Sequence, residues 1–599
     1  MPQYKAPLRD MRFVIHEVLN ASETFQKATI FPDVDADLID QVLDEGARFA
    51  EEVLFPLNEG GDREGCHFDN GTVTTPKGFK EAYKQYGEGG WIGIDGDPEY
   101  GGQGLPKVIS IALGEIVGSA NTAWAMYPGL THGASYAIHA HADEKTKAIY
   151  LPKMLGGKWS GTMCLTEAHA GTDLGIIRSK ATPLDDGSFS ISGQKIFISA
   201  GEHDMTENII HLVLAKLPDA PEGTKGISMF LVPKFMVNED GSLGERNGIV
   251  CGSIEHKMGI NGSATCVLNL DNARGYLIGG PHNGMRCMFT MMNAARLTTG
   301  MQGLSLGELS FQNALSYAKD RLQSRSLTGD KAPNQEADPI IVHPDVRRML
   351  LTQKAYNEGA RIFAIWLALQ LDLEHHHPDK KARETAGDLV ALLTPVAKAF
   401  MSDNGFEVCN LGMQIYGGHG YIKEWGMEQF VRDARIAQIY EGTNGIQSLD
   451  LIGRKVLRDN GQKLRLFGGM VQDFIKANQK DKNLKEFLEP LGEIAKEVQD
   501  VSMWIGMRAL RNRDEVGAAA TDYLRLVGLL IYGYFWALMA KVAQDKLAQK
   551  PKDASFYEAK VHTARFFFSR ILPQSQTLAQ TIRSGSKVLM ELETEAFAF

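Results

Sequence analysis

The 599-residue chain predicts an α+β multidomain fold: an N-terminal helical domain, a middle β-barrel or sandwich, a C-terminal four-helix bundle, and an additional C-terminal helical domain. Three observations carry this. Apolar residues recur at helical spacing up to Leu151-Pro152 and again after Gly284. From Trp159 to about Leu277 the chain instead reads as short runs such as FSISGQKIFIS, IIHLVLAKL, GISMFLVP and TCVLNLDNA, with Gly, Asp or Pro between them. No G-x-G-x-x-G follows a strand and no G-x-x-x-x-G-K-[ST] occurs, so a Rossmann or P-loop site is not indicated.

These changes of character divide the chain into a leader (1–36), a helical domain (37–158), a β-domain (159–280), a helical bundle (281–455) and a further helical domain (456–599). In the leader, Phe13, Val14 and Val18 share one helical face, which predicts a docked helix. A helix from Asp37 is expected to stop near Leu57 at Pro56, and another to lie near Lys77–Tyr86. Gly90–Gly104 is dense in turn residues and reads as loop, and Val108–Ile138 as tightly packed helices closed by Leu151-Pro152. Met285–Arg321, His343–Leu373, Thr385–Tyr416 and Tyr421–Ile439 supply the four helices of the bundle. Leu484–Leu510, Ala518–Asp545, Ser555–Leu572 and Thr577–Leu592 supply the last domain.

Composition narrows the function. Hydrophobic residues are 44% and charged residues 23%, an ordinary globular balance. The net charge of −10 and pI near 5.9 argue against a nucleic-acid partner. Six scattered cysteines without a CxxC pair argue against zinc and a disulfide framework. With no apolar signal-peptide core at the N-terminus, the expected location is the cytoplasm. His375-His376-His377 stands in a polar loop with no second ligand cluster, so no metal site is expected. The uncharged run Leu526–Ala540 is shorter than the roughly 20 residues that span a bilayer. It reads as a buried bundle helix, the alternative being peripheral docking on the inner membrane.

The stretch richest in chemistry is Arg432–Gln447, RDARIAQIYEGTNGIQ. Gly442 and Gly445 permit turns, so Glu441 sits just past a helix on a loop. There it either caps the helix expected from about Ile446 or is aimed at a ligand.

IYEGTNGIQ resembles the signature of acyl-CoA dehydrogenases, in which this Glu removes the α-proton of a thioester substrate. Four further stretches, in family order, resemble the same family. Met163-Cys164-Leu165-Thr166-Glu167, followed by Ala170-Gly171-Thr172-Asp173, is similar to its flavin-binding stretch, with Thr166 on the pyrimidine edge and Met163 and Leu165 beside it. The usual Pro-Gly-Ala-Gly-Ser-Asp is here Ala168-His169-Ala170-Gly171-Thr172-Asp173, where Thr172 keeps the hydroxyl and is a candidate for both flavin and substrate. Lys195-Ile196-Phe197-Ile198-Ser199 resembles K-x-W-I-T/S, placing Phe197 against one flavin face, with Ser199 nearby.

Arg321 and Gln323 match the family's pyrophosphate contacts, although the Phe-Gly pair that follows there is replaced by Ser324-Arg325. Gln414-Ile415-Tyr416-Gly417-Gly418-His419-Gly420-Tyr421 resembles a turn that reaches the neighbouring subunit's cofactor. The resemblance thus assigns Gln414, Gly417, Gly418 and Thr443 to cofactor binding, and Arg296, Tyr440 and Gly442 to the substrate.

What the resemblance implies is FAD-dependent α,β-dehydrogenation of an acyl-CoA to a trans-2-enoyl-CoA by a homodimer or higher homo-oligomer. Electrons would leave to an electron-transfer flavoprotein. The leader and extra C-terminal domain resemble a bacterial subgroup that includes 3-methylmercaptopropionyl-CoA and broad-range fatty acyl-CoA dehydrogenases. An acyl-CoA oxidase and a DNA-associated alkylation-response flavoprotein are the competing readings, the latter against the acidic charge.

Overall fold

The protein is described here from a computed structural model, which covers residues 2–599. Two compact units form: one comprises the chain up to Asp44 with Lys107–Glu115 and Thr299–Phe599, the other Glu45–Pro106 with Ile116–Thr298.

The second unit holds the strands. They are β1 (His67–Asp69), β2 (Thr72–Thr74), β3 (Trp159–Cys164), β4 (Lys180–Pro183), β5 (Phe189–Ser199), β6 (Asn208–Lys216), β7 (Ile227–Pro233), β8 (Phe235–Val237), β9 (Leu243–Arg246), β10 (Ile249–Ile254) and β11 (Thr265–Ile278). β11 pairs with β5 and β7, β5 with β4, β4 with β6, and β6 with β7, so these strands close on themselves. Closure is narrowest at β4–β6, a single parallel pair, Lys180 with Lys216. β10 extends the sheet beyond β11 and β3 runs parallel to β6. Of the two expected alternatives the barrel is the one that forms. Within it Asn208–Ala215 of β6 is buried on both faces, in keeping with its near-continuous apolar run. Ile191, Val213, Phe230 and Leu268 fill one side, and Trp159, Leu212 and Leu231 meet the helices Thr122–His141 and Glu144–Leu155 on the other.

The first unit is helical, with Pro344–His376, Lys380–Tyr416 and the Thr299–Asp320 part of Gly284–Asp320 at its centre. Two of these helices touch through glycine: a Cβ on Gly405 would lie 2.3 Å from Gly303. The additional domain contributes Lys485–Ala509, Asp514–Ala548, Ala554–Phe566 and Gln574–Arg583. Leu526–Ala540 lies inside it, with Tyr532, Phe535 and Trp536 fully buried. Trp536 donates to the Ala355 carbonyl at 3.1 Å.

Several expectations are corrected. Pro56 does not end its helix. A π-turn over Ala50–Leu54 restarts the chain as Phe55–Glu64, with Pro56 in the first turn, where its missing N–H is not needed. Pro152 likewise lies within Glu144–Leu155. Tyr421–Ile439 is not one helix. Gly417–Tyr421 and Lys423–Trp425 are 3₁₀ turns, Gly426 adopts φ +75°, and only Met427–Arg435 is α-helical. A helix at Gln462–Asn478, between the bundle and Leu484, had no counterpart in the reading of the sequence.

Candidate active site

The segment carrying Glu441 is built by a change of backbone hand. Met427–Arg435 tightens into a 3₁₀ turn at Ile436–Gln438, and then Glu441 and Gly442 take φ +58° and +78°. A left-handed conformation is free for Gly442 but costs a glutamate about 1 kcal/mol or more. Such strain persists only where the surroundings hold it. Here the fully buried Gln447 donates its side-chain amide to the Glu441 carbonyl at 3.0 Å. Thr443, not Glu441, is the cap of the following helix Asn444–Leu449, accepting from the Ile446 N–H at 3.3 Å. Glu441 is therefore outside that helix, and of its two readings the capping one is removed. Tyr440 donates its hydroxyl to Gln302, and burial pushes its phenol well above the usual range.

Asn444, inside the motif, has a role the sequence did not signal. Its side chain meets the buried ammonium of Lys398 at 2.7 Å and Ser402 at 3.0 Å. Elsewhere in this unit Arg321 and Gln323 are exposed where the Gly284–Asp320 helix ends, and the Gln323 N–H and Asp338 carbonyl join at 3.0 Å. Gln414 is exposed on the last turn of Lys380–Tyr416, and Gly417 turns the chain at φ +59°. A Cβ on Gly417 or Gly418 would meet nothing within 4 Å, so their backbone lies open to a bulky ligand.

In the other unit Met163, Leu165, Thr166, Phe197 and Ser199 lie where β3 runs out beside β5. The Ile196 N–H donates to the Thr166 carbonyl at 2.9 Å, making Thr166 and Phe197 neighbours. Phe197 takes φ +58° and leaves 59% of its surface exposed, so a flat apolar ring stands uncovered near the half-buried Thr166. Met163 and Ser199 are half-buried and Thr172 is exposed. Leu165 turns its side chain into the core, so only its backbone can serve a ligand.

Beneath this surface is a pair the sequence reading missed. The fully buried Lys195 donates to the Leu165 carbonyl and to Glu167, both at 2.9 Å. Glu167 also accepts from Ser179 and from the Arg178 N–H. Burial alone would raise the Glu167 carboxyl, but the Lys195 ammonium, the Ser179 hydroxyl and the Arg178 N–H together outweigh it and hold it down to about 2. Arg296 is buried with its guanidinium 5.6 Å from the Phe289 ring, rather than on the surface. Among the described residues no group of three His, Cys, Asp or Glu could hold a metal. His375 bonds the Leu371 carbonyl and His377 receives the Asp379 N–H.

The helical unit thus holds an acid on a strained turn, and the barrel unit, taken by itself, leaves an aromatic uncovered near Thr166. The comparisons with known proteins say what class of protein carries these features. Family models match throughout: the acyl-CoA dehydrogenase N-terminal domain at 38–158, the middle domain at 162–273, the C-terminal domain at 282–457, and an "acetyl-CoA dehydrogenase C-terminal like" domain at 467–593. The chain is 43% identical to 3-methylmercaptopropionyl-CoA dehydrogenase of Ruegeria pomeroyi, over 95% of this chain and 96% of the relative. It is 35% identical to a broad-specificity linear acyl-CoA dehydrogenase of Mycobacterium tuberculosis, over the full length of both. An acyl-CoA dehydrogenase from Bacillus anthracis, solved with FAD, shares the fold with a TM-score of 0.74 at 22% identity, covering 94% of this chain and 91% of that one. The protein belongs to the acyl-CoA dehydrogenase family, and is an oxidoreductase acting on acyl-CoA.

Proposed function

We propose that Glu441 is the base of an FAD-dependent α,β-dehydrogenation that converts an acyl-CoA thioester to its trans-2-enoyl-CoA. The observation that carries this is the left-handed turn, which spends backbone strain to hold one acid at one angle. Features of each unit by itself support FAD: in the barrel unit Phe197 leaves a ring face uncovered near the half-buried Thr166, and in the helical unit Gly417 and Gly418 leave open backbone.

An α-proton beside a thioester is only weakly acidic, so the carboxylate needs the substrate carbonyl to be polarised as the proton leaves. In this reading the backbone N–H of Glu441 would donate to that carbonyl, as the family resemblance implies. The Glu441 carboxylate takes the α-proton and becomes a carboxylic acid. FAD, when bound, supplies the two-electron oxidant for the β-carbon–hydrogen bond. Met163, Leu165, Thr166, Thr172, Phe197, Ser199, Arg321, Gln323, Gln414, Gly417, Gly418 and Thr443 orient the cofactor in this reading. Thr172, Arg296, Tyr440 and Gly442 serve the substrate.

The 43% identical relative supports 3-methylmercaptopropionyl-CoA or a linear fatty acyl-CoA as the substrate class. The same reading has the enzyme work as a homodimer or larger homo-oligomer in the cytoplasm. It delivers electrons to an electron-transfer flavoprotein.

An anaerobic titration of the purified yellow protein tests it. The panel is butyryl-, octanoyl-, palmitoyl- and 3-methylmercaptopropionyl-CoA. Bleaching of the flavin absorbance by one chain class in the wild type, and by none in Glu441→Gln, is the expected result. A Glu441→Gln protein that bleaches near the wild-type rate would end the assignment. Rapid oxygen consumption by the reduced enzyme would move it to the oxidases.

A further inference from the structure

We infer that Asp403 is a positioning residue that clamps both flanks of the Glu441 turn, and that Arg525 brings the additional C-terminal domain into this clamp. The inference rests on Glu441 being the base.

One carboxylate oxygen of Asp403 accepts two side-chain amides. Gln438 donates to it at 2.7 Å from three residues before Glu441, and Asn444 donates at 2.7 Å from three residues after. The strained segment between them is thereby tied to a single atom on the long helix Lys380–Tyr416. That helix holds Asn444 a second time. The Lys398 ammonium donates to Asn444 Oδ1 at 2.7 Å, while the Asn444 amide reaches Ser402 at 3.0 Å and the Ala399 carbonyl at 3.3 Å. Lys398 and Ser402 are fully buried, so water does not compete for these bonds. The other Asp403 oxygen faces Arg525 of Asp514–Ala548 at 3.9 Å. The Asn444–Leu449 helix packs directly on that same C-terminal helix.

The arrangement has a mechanical consequence. Turns with positive φ at a glutamate relax unless held, and two amides converging on one acceptor oxygen tie both flanks of the turn to the same point. Removing the acceptor leaves Gln438 and Asn444 without their shared anchor and lets the turn reorient. A misplacement of about 1 Å is enough to cost on the order of 100-fold in rate.

The test uses FAD-loaded full-length enzyme and an acyl-CoA that bleaches the wild type. Its readouts are the limiting rate of flavin reduction, the substrate concentration at half-rate, FAD content and the thermal midpoint. Asp403→Leu is expected to lower the limiting rate roughly 10- to 100-fold, with FAD content intact and half-saturation little changed. Asp403→Asn keeps an acceptor oxygen for both amides and is expected to recover most of that loss. Arg525→Met is expected to slow reduction less than Asp403→Leu does. If Asp403→Leu does not fold, Gln438→Met removes one arm of the clamp and is expected to slow reduction with FAD retained.

The inference is overturned if Asp403→Leu reduces at the wild-type rate. It is equally overturned if Asp403→Asn is as slow as Asp403→Leu, which would make the charge and not the clamp the cause. Glu441→Gln, run alongside, separates the two ideas. If that variant still reduces quickly, the base assignment fails, whatever Asp403 does.

Discussion

Gln447 donates its side-chain amide to the Glu441 carbonyl at 3.0 Å, closing the turn that carries the acid from the helix that follows it. Gly442 lies under that bond. Its φ of +78° suits glycine alone, and a Cβ there would come 2.8 Å from the Gln447 amide nitrogen. Gly442→Ala is expected to lower the limiting rate of flavin reduction by roughly tenfold or more. Single-turnover absorbance kinetics at saturating acyl-CoA would show it, with FAD content as the control.

Phe197 is the exposed aromatic of the barrel unit. Phe197→Ala removes an apolar ring face and is expected to weaken FAD retention roughly 3- to 10-fold, from a stacking contribution of about 0.5–1.5 kcal/mol. Phe197→Trp is expected to retain FAD at least as well. Titration of the apoprotein by flavin fluorescence quenching distinguishes the two.

A buried charge cluster joins the leader, the bundle and the additional domain within the helical unit. Arg361 reaches Asp10, Glu115 and Glu308, Lys560 reaches Asp10 and Glu358, and Lys354 reaches Glu358. Four acids therefore share three cations. Glu115 has no exposed surface, and burial pushes it up from 4.5 to about 7. Folding thus takes up a proton between those two values, and the wild type loses stability as the pH rises through them. Glu115→Gln, which cannot ionise, is expected to escape that loss. Its stability relative to wild type should improve by on the order of 2–3 kcal/mol from pH 4.5 to 8. Urea unfolding at several pH values measures it, and parallel curves would refute it.

Breaking the same cluster should cost more than tuning it. Lys560→Met leaves Asp10 buried with Arg361 as its remaining cation, where Lys560 and Arg361 together hold its carboxyl well below the usual range against burial. The expected loss is roughly 3–5 kcal/mol, that of a buried pair deprived of one partner. Denaturant midpoints at neutral pH would record it.

At the bundle's glycine crossing, Gly405→Ala would place a methyl group 2.3 Å from Gly303. Backbone cannot yield as a flexible side chain does, so overpacking of roughly 1–3 kcal/mol is expected. The thermal midpoint should fall while the flavin spectrum of the surviving folded enzyme stays unchanged.

The order of helical, β and helical segments was legible in the sequence, because apolar periodicity records which face of each element is buried, whereas the choice of barrel over sandwich was not. The runs FSISGQKIFIS and IIHLVLAKL lie on β5 and β6 within a residue of where their pattern placed them. The sequence also determined that Glu441 leaves its helix on a turn, because Gly442 is a local signal. What only the tertiary structure decided depends on partners far away in the chain. The side chain of Leu165 faces the core because of the strands packed beside it, and Pro56 is tolerated because a π-turn precedes it. Asp403 reaches Gln438 and Asn444 across 35 and 41 residues, and one aspartate on an amphipathic helix carries no mark of that. Local pattern fixes local geometry, whereas the anchor of a strained turn is set by which helices come to lie beside it.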